Sequence, residues 1–504
     1  MLKKRLPLLV ILSLSIITSL VIIFPVLKGG QGGIFFSIDP DAHFMGSIFS
    51  YIKLHQIQYI NHPGTPSILL YSYLLTPLRI YSHFVAHTNF ILWAVNNINI
   101  VYFYLRIMQV LIFCISLTIF SSAIYKITKS IYSCIFALLA LLTFSFFPNL
   151  AVYIGSETVS FLIISIWLLV FSYFLESKSP KTILLLSAIA GLSVANKFTN
   201  IFYFFISIIL IVTLKNVKKI QKVYYIFLNL LTGFATFIVF TWPIRDKYSQ
   251  LLKWLTSLAT HTQLYGSGTS EYFNPVVYLT SINTLISTEI IPTIIFISTI
   301  GLVFFYSMKR IYLKIQVKIV TIILMIGIII FSKYPLSYYQ LIQFIGIVFI
   351  AAIVYLSFPK YLKLLILFFL FYCAFQNLNT YNNHTTSLIN ETVVLDRYIK
   401  LHPAKIASIW EWGRNKDFAL LWGNTWSGGS YSEELAKLKP NMYQLDIYDD
   451  KTKSIFNLCW DKLYIQKISS VAFVEKYSDK KLNINSIEGA NNMLEIESDH
   501  CLYE

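Results

Sequence analysis

Long apolar runs broken by short polar stretches dominate the chain up to about residue 380. A bilayer-spanning helix needs about 20 predominantly apolar residues. The runs predict eleven spans: 6–28, 101–124, 131–149, 157–175, 181–195, 199–214, 223–243, 289–308, 317–332, 339–357 and 361–378. Beyond them the hydropathy falls and the runs shorten. Ile406–Trp410, Phe418–Trp422 and Val471–Val474 read as strands and Ser432–Leu438 as a helix. The expected fold class is mainly α: a polytopic transmembrane helical bundle over 1–380, with a small C-terminal α/β domain over 381–504.

Two of the polar breaks are long, at 29–100 and 244–288. In the first, Phe44, Ile48, Tyr51, Ile52 and His55 recur at helical spacing, with Ser47, Ser50 and Lys53 on other faces. That pattern predicts an amphipathic helix lying in the membrane interface. The apolar stretch from Ser67 to Tyr81 reads as a short re-entrant or surface helix. A true span there would invert the downstream topology, and the charges argue against it.

Those charges set the orientation. Met1-Leu2-Lys3-Lys4-Arg5 precedes the first span, which has no small-residue cleavage site before Asp39 and is read as an uncleaved anchor. With the N-terminus in the cytoplasm, the inner loops hold Lys126, Lys129, Lys178, Lys181, Lys215, Lys218, Lys219 and Lys222. Later inner loops hold Lys309, Arg310, Lys314, Lys318, Lys360 and Lys363, and Glu176 is their one acid. This is the positive-inside pattern, and an odd number of spans then puts the C-terminal domain outside the cytoplasm. The chain is 56% hydrophobic and 13% charged, where a soluble domain carries about a quarter charged residues. Much of the net charge of +16 is therefore topological and gives no argument for nucleic acid. Cys459 and Cys501 fall in the outer tail, where a disulfide is permitted and two free thiols are the alternative.

Two acids stand just outside the first span, in Asp39-Pro40-Asp41-Ala42-His43-Phe44, which is followed by Asn61-His62-Pro63-Gly64. A carboxylate there can act as a general base, and Pro40 restricts the backbone that carries both acids. Asp41 also suits the N-cap of the following helix. Arg106, Lys197, Arg245, Lys247 and Lys333 fall at outer ends of spans or in outer loops, where the topology rule disfavours cations. A phosphate at the lipid boundary would account for them, with snorkelling to headgroups as the alternative. Glu157, beside Gly155 and Ser156, stands at an outer mouth, where an acid is either functional or paired with one of those cations. His62 opens a Pro-Gly turn. Tyr338 and Tyr339 suit sugar binding or an aromatic belt. Trp410, Trp412, Trp422, Trp426 and Trp460 suit sugar stacking or the core of the tail domain. The sequence holds no zinc spacing, P-loop, dinucleotide fingerprint or nucleophile elbow. No cofactor is expected; a divalent metal is allowed but not indicated.

Taken in order and on one side of the membrane, these motifs resemble the GT-C superfamily of membrane glycosyltransferases. The likeness is to the branch with protein O-mannosyltransferases, aminoarabinose transferases and bacterial transferases of lipopolysaccharide sugars. Pro40-Asp41-Ala42-His43-Phe44 stands for the acidic motif of the first outer loop and His62-Pro63-Gly64 for a His-Pro-Pro-like motif. Arg106, Glu157 in Gly155-Ser156-Glu157-Thr158, Lys197 in Asn196-Lys197-Phe198-Thr199, and Lys333-Tyr334-Pro335 with Tyr338-Tyr339 match later outer positions. The likeness covers about residues 1–380. It departs where Ala42 replaces the second acid of an Asp-Glu pair and where Gly64 replaces a proline.

The resemblance implies transfer of a sugar, with inversion, from a polyprenyl-phosphate-linked donor within the membrane lipids. The acceptor would be a glycolipid, glycan or protein on the outer face of the cell membrane. It makes Asp41, with Asp39, the catalytic acids. Lys197, Arg245 and Arg106 would hold the donor phosphate, and Glu157, His62, Tyr338 and Tyr339 would contact substrate. A flippase for a lipid-linked glycan and a glycan polymerase are the other classes left open.

Overall fold

The computed structural model describes residues 2–28, 38–60, 64–214, 217–260, 271–272, 274–305, 315–331, 333–334, 337–402, 407–410, 416–445, 461–467, 482–490 and 493–498. The helices in chain order are α1 (Leu2–Lys28), α2 (Ile38–Leu54), α3 (Thr65–Leu74), α4 (Thr76–Phe84), α5 (Phe90–Asn96), α6 (Ile98–Thr128) and α7 (Ile131–Leu142). They continue with α8 (Ser156–Ser177), α9 (Pro180–Asn196), α10 (Ile201–Val212), α11 (Lys219–Thr241), α12 (Tyr248–Thr260), α13 (Pro275–Thr288), α14 (Ile290–Phe305), α15 (Ile315–Phe331), α16 (Ser337–Tyr355) and α17 (Lys360–Leu401).

Among the described residues six helices are long and apolar enough to cross a membrane. The pair α13 and α14, bent by 106°, makes a seventh if taken as one span, and four shorter apolar helices fall in the remaining expected stretches. The short ones stop for local reasons. α7 ends at Leu142 and gives way to a 3-10 turn, Phe147–Ala151, that contains Pro148. α9 ends at Asn196, where Lys197 turns extended (φ −152°, ψ 123°) before a second 3-10 turn, Phe198–Asn200. Side-chain caps mark the starts of others: Ser130 accepts from the Ser133 amide before α7, and Asn274 accepts from Val276 and Val277 before α13. The Ser67–Tyr81 stretch forms parts of two short helices, α3 and α4, rather than a span.

The chain gathers into two compact units. The first holds residues 1–23, 60–67 and 109–381. In it α9 packs against α8, α10 and α11, and Gly191 meets the Gly233 carbonyl so closely that a Cβ would fall under 3.0 Å from it. α16 is enclosed along its length by α7, α8, α14 and α15, with Ile345, Val348 and Phe349 buried. At the expected cytoplasmic end, Lys126 pairs with Glu176 at 2.7 Å.

The second unit holds 24–59, 68–108 and 382–504. Its tail contributes β1 (Ala407–Trp410), α18 (Lys416–Trp426), α19 (Ser432–Leu438), β2 (Met442–Leu445), β3 (Lys462–Gln466), β4 (Leu482–Ser486) and β5 (Met493–Ser498). The sheet order is β2-β1-β3-β5-β4. β1 is parallel to both neighbours, whereas β5 is antiparallel to β3 and β4. α17 runs past the expected end of the last span without a break, and its late residues Val394, Leu395, Tyr398 and Ile399 pack on Tyr464, Ile487 and Met493 of the sheet domain. One sequence expectation is corrected here: Phe418–Trp422 is part of helix α18, not a strand. A short continuous apolar run satisfies either element; here Ala419, Trp422, Gly423 and Trp426 recur at helical spacing. The expected strand Val471–Val474 and the cysteines Cys459 and Cys501 lie outside the described residues.

Candidate functional site

In the second unit the chemistry centres on α2. The helix starts at Ile38, so Asp41 belongs to its first turn rather than capping it. Arg106 on α6 donates from Nη2 to Asp41 Oδ2 at 2.7 Å, and both residues are fully buried. One turn earlier on α6, the Tyr102 hydroxyl donates to the Asp41 carbonyl at 3.4 Å. Either charge buried alone would carry an uncompensated desolvation penalty of several kcal/mol. The pair therefore holds an ionised carboxylate in a dry place. Asp39 shares the turn, and its side chain lies outside the described part of the structure.

Two residues along a helix turn the side chain by about 200°. His43 accordingly faces another neighbour, α18. Trp422 donates its indole N–H to His43 Nε2 at 3.0 Å, and the His43 ring lies 4.9 Å from Tyr59 and 4.6 Å from Trp426. Burial pushes the imidazole down to about 3, so it is neutral and accepts through Nε2. Helices α2 and α18 approach to backbone contact: a Cβ on Gly46 would sit under 3.0 Å from the Gly423 carbonyl, and one on Gly423 under 3.0 Å from that of Ala42. Lys53, in the last turn of α2, pairs with Glu434 on α19 at 2.9 Å. The acidic helix is thus tied on one flank to α6 and on another to α18 and α19.

The first unit builds a second ion pair. Gly64 sits at φ +59°, and its amide donates to the Asn196 carbonyl at 3.0 Å. Proline is locked near φ of about −65°, so the Gly64 departure from a His-Pro-Pro motif has a conformational reason. The Ser67 hydroxyl donates to Asn196 Oδ1 at 2.6 Å, and Asn196 Nδ2 donates to the Ser156 carbonyl at 2.7 Å. One side chain therefore joins the segment after His62, the start of α8 and the end of α9. The next residue, Lys197, donates from Nζ to Glu157 Oε1 at 2.7 Å and to the Tyr338 carbonyl at 3.5 Å. Its ammonium lies 5.1 Å and 5.6 Å from the ring centres of Tyr338 and Tyr339. The Lys197 side chain is 1% exposed and that of Glu157 15%. Asn196, Lys197, Glu157, Tyr338 and Tyr339 are therefore brought together.

Of the other expected site residues, Arg245 has its own neighbours and His62 is not described. Arg245, in the 3-10 turn Trp242–Lys247, is exposed, lies 5.1 Å from the Trp242 ring centre and 3.7 Å from Asp246. His62 is outside the described residues. Among the described residues no three His, Cys, Asp or Glu side chains gather to hold a metal ion.

Two features escaped the sequence reading. Asn196 is an uncharged hub whose only signal is its place beside Lys197. Glu289, in the break between α13 and α14, is buried and accepts from the Ser145 amide at 3.2 Å and from the Ser145 hydroxyl. Lys333 is one of the outer cations for which a phosphate was the expected reason. It is buried, which holds its ammonium below the ordinary lysine range. It donates to the Ala259 carbonyl while Tyr334 donates to the Leu258 carbonyl at 2.6 Å. Together they satisfy the last turn of α12 at its negative end.

No protein-family model and no curated protein matches the chain. Solved structures do match it. ArnT from Cupriavidus metallidurans bound to undecaprenyl phosphate aligns over 97% of both chains with a TM-score of 0.58 at 10% identity. The apo state of the same protein aligns over 91% of this chain and 93% of its own, with a TM-score of 0.52 at 10% identity. The chain shares the fold of ArnT over nearly its whole length.

Proposed function

We propose that this chain is an integral-membrane glycosyltransferase that takes a sugar from a polyprenyl-phosphate-linked donor. It passes the sugar to a glycolipid, glycan or protein acceptor on the extracytoplasmic face. The observation that carries the reading is the buried Asp41–Arg106 pair on a short helix in the loop between the first two expected spans. A carboxylate kept ionised away from water can take the proton of an acceptor hydroxyl as that oxygen attacks the anomeric carbon. Asp39 assists from the same turn. The bond from the anomeric carbon to the phosphate oxygen breaks, and the polyprenyl phosphate departs as an anion. No general acid is then required; cations suffice, and Lys197, Arg245 and Arg106 supply them. Glu157, His62, Tyr338 and Tyr339 complete the substrate contacts. The shared fold with ArnT, and the undecaprenyl phosphate bound in one of its structures, supports a polyprenyl-phosphate partner for this chain too.

The test uses purified chain in lipid with a panel of polyprenyl-phosphate sugars and a membrane extract as the acceptor source. Release of polyprenyl phosphate by the wild type and its loss in Asp41→Asn is the expected result. Equal release by Asp41→Asn would overturn the catalytic assignment. The break between α13 and α14, with buried Glu289 in it, favours a second reading. Broken helices that carry a polar group are a feature of transporters. Movement of a labelled lipid-linked glycan across vesicles, with no transfer of its sugar, would establish a flippase instead.

A further inference from the structure

We propose that Glu157 is the resident occupant of an anion site, and that a phosphate-bearing lipid binds by displacing its carboxylate from Lys197. The inference rests on the reading of Lys197 as a phosphate ligand and assigns Glu157 a role beyond substrate contact. The geometry has three parts. Lys197 is buried, and its ammonium donates to one carboxylate, that of Glu157, at 2.7 Å. The Glu157 side chain is the more exposed partner, 15% against 1%, so it stands between the ammonium and water. Glu157 also lies in the first turn of the 22-residue helix α8, next to the extended Gly155. The amides of the first helical turn and the positive end of the helix dipole favour a negative group at that position. A phosphate oxygen satisfies the same two requirements, the ammonium and the helix start. Tyr338 and Tyr339 flank the ammonium and limit the directions from which an anion can reach it.

The exchange has a chemical consequence. A polyprenyl-phosphate sugar is a phosphodiester with one negative charge, like the carboxylate it replaces. The departing polyprenyl phosphate is a monoester and carries about −1.5 to −2 near pH 7. It would hold a bare ammonium more strongly than the donor does. A tethered carboxylate that returns to Lys197 competes with the product and helps to expel it.

The experiment measures binding of undecaprenyl phosphate to the full chain in lipid nanodiscs, for wild type, Glu157→Gln, Glu157→Asp and Lys197→Met. Glu157→Gln is expected to bind three- to tenfold tighter than wild type, Glu157→Asp about twofold tighter, and Lys197→Met to bind weakly. In turnover assays, product inhibition by undecaprenyl phosphate should deepen in Glu157→Gln by a similar factor. A merely structural role would weaken binding in Glu157→Gln, so equal or weaker binding by that folded variant overturns the inference. If Glu157→Gln fails to fold, Glu157→Asp decides through product inhibition, which a shorter carboxylate that reaches Lys197 less well should deepen by at least twofold; no change overturns the inference. Inorganic phosphate, titrated in parallel, separates a site for lipid phosphate from one for the free anion. Tightening for inorganic phosphate alone would overturn the lipid assignment. Absence of lipid-phosphate binding in every folded variant would instead remove the parent reading of Lys197.

Discussion

Removing Arg106 strands a fully buried carboxylate, and removing Asp41 strands a guanidinium. Breaking such a pair from one side costs about 3–5 kcal/mol. Arg106→Met is therefore expected to lower stability by about that amount. The double variant Asp41→Asn with Arg106→Met should lose less than the sum, because no lone charge remains. Thermal unfolding in detergent across the four proteins checks this, and strict additivity would mean that the two side chains do not depend on each other. His43 gives a second expectation. Its folded pKa lies at about 3, below the ordinary value of 6.5. Between those values the unfolded chain binds the proton and the folded chain does not, so stability falls as pH drops from 6.5 toward 3. The full shift corresponds to about 5 kcal/mol as an upper figure. His43→Gln keeps an acceptor for Trp422 and removes the titration, so it should unfold at a lower pH than wild type. At this scale the identities of Asp41, Arg106, Glu157 and Lys197 were legible, because charges at expected span ends stand out against an apolar background. Their pairing was not. Asp41 and Arg106 lie 65 positions apart, and Glu157 and Lys197 lie 40 apart. Only the packing of α2 on α6, and of α8 on α9, selects the partners.

At the scale of elements, α2 and α18 form the most consequential contact in the second unit. They meet at Gly46 and Gly423, with no side chain between the backbones. A leucine at 423 would have to push the helices apart, and overpacking of this kind costs about 1–3 kcal/mol. The His43–Trp422 hydrogen bond lies one residue from that contact and would stretch with it. Gly423→Leu is expected to reduce both stability and turnover. A change in tryptophan fluorescence should accompany the loss, since Trp422 and Trp426 flank the site of the substitution. Unchanged turnover in a folded Gly423→Leu protein would show that the placement of α2 tolerates this shift. The amphipathic spacing of Phe44, Ile48 and Ile52 made α2 readable as a helix. Its partner was misread because Phe418–Trp422 is short and wholly apolar, and such a run takes its geometry from what it packs against. Gly64 was visible as a departure from a motif. The reason for it, a positive φ beside Asn196, exists only once the chain is folded.

At the scale of the whole molecule, the eleven expected spans all have a counterpart among the long, bent or short apolar helices, because apolar length is a property of the sequence itself. The assignment of segments to the two units has no such signature. The tail from residue 382 onward forms one unit with 24–59 and 68–108, which carry the acidic helix. A chain cut after Leu401 would keep every expected span and the Asp41–Arg106 pair. It would also uncover the face of α2 that meets α18, including Gly46, Phe49 and buried His43, and would leave Lys53 without Glu434. Exposed apolar surface of that kind promotes association. The truncated protein is therefore expected to insert into membranes but to aggregate on extraction, and to lose turnover. Adding the tail as a separate polypeptide should restore part of both. A truncated chain that stays monodisperse, and releases polyprenyl phosphate in an Asp41-dependent way, would show instead that the bundle and the first loop hold the acidic helix without help. In that case the contacts of Trp422, Gly423 and Glu434 would belong to the tail's own docking rather than to the chemistry.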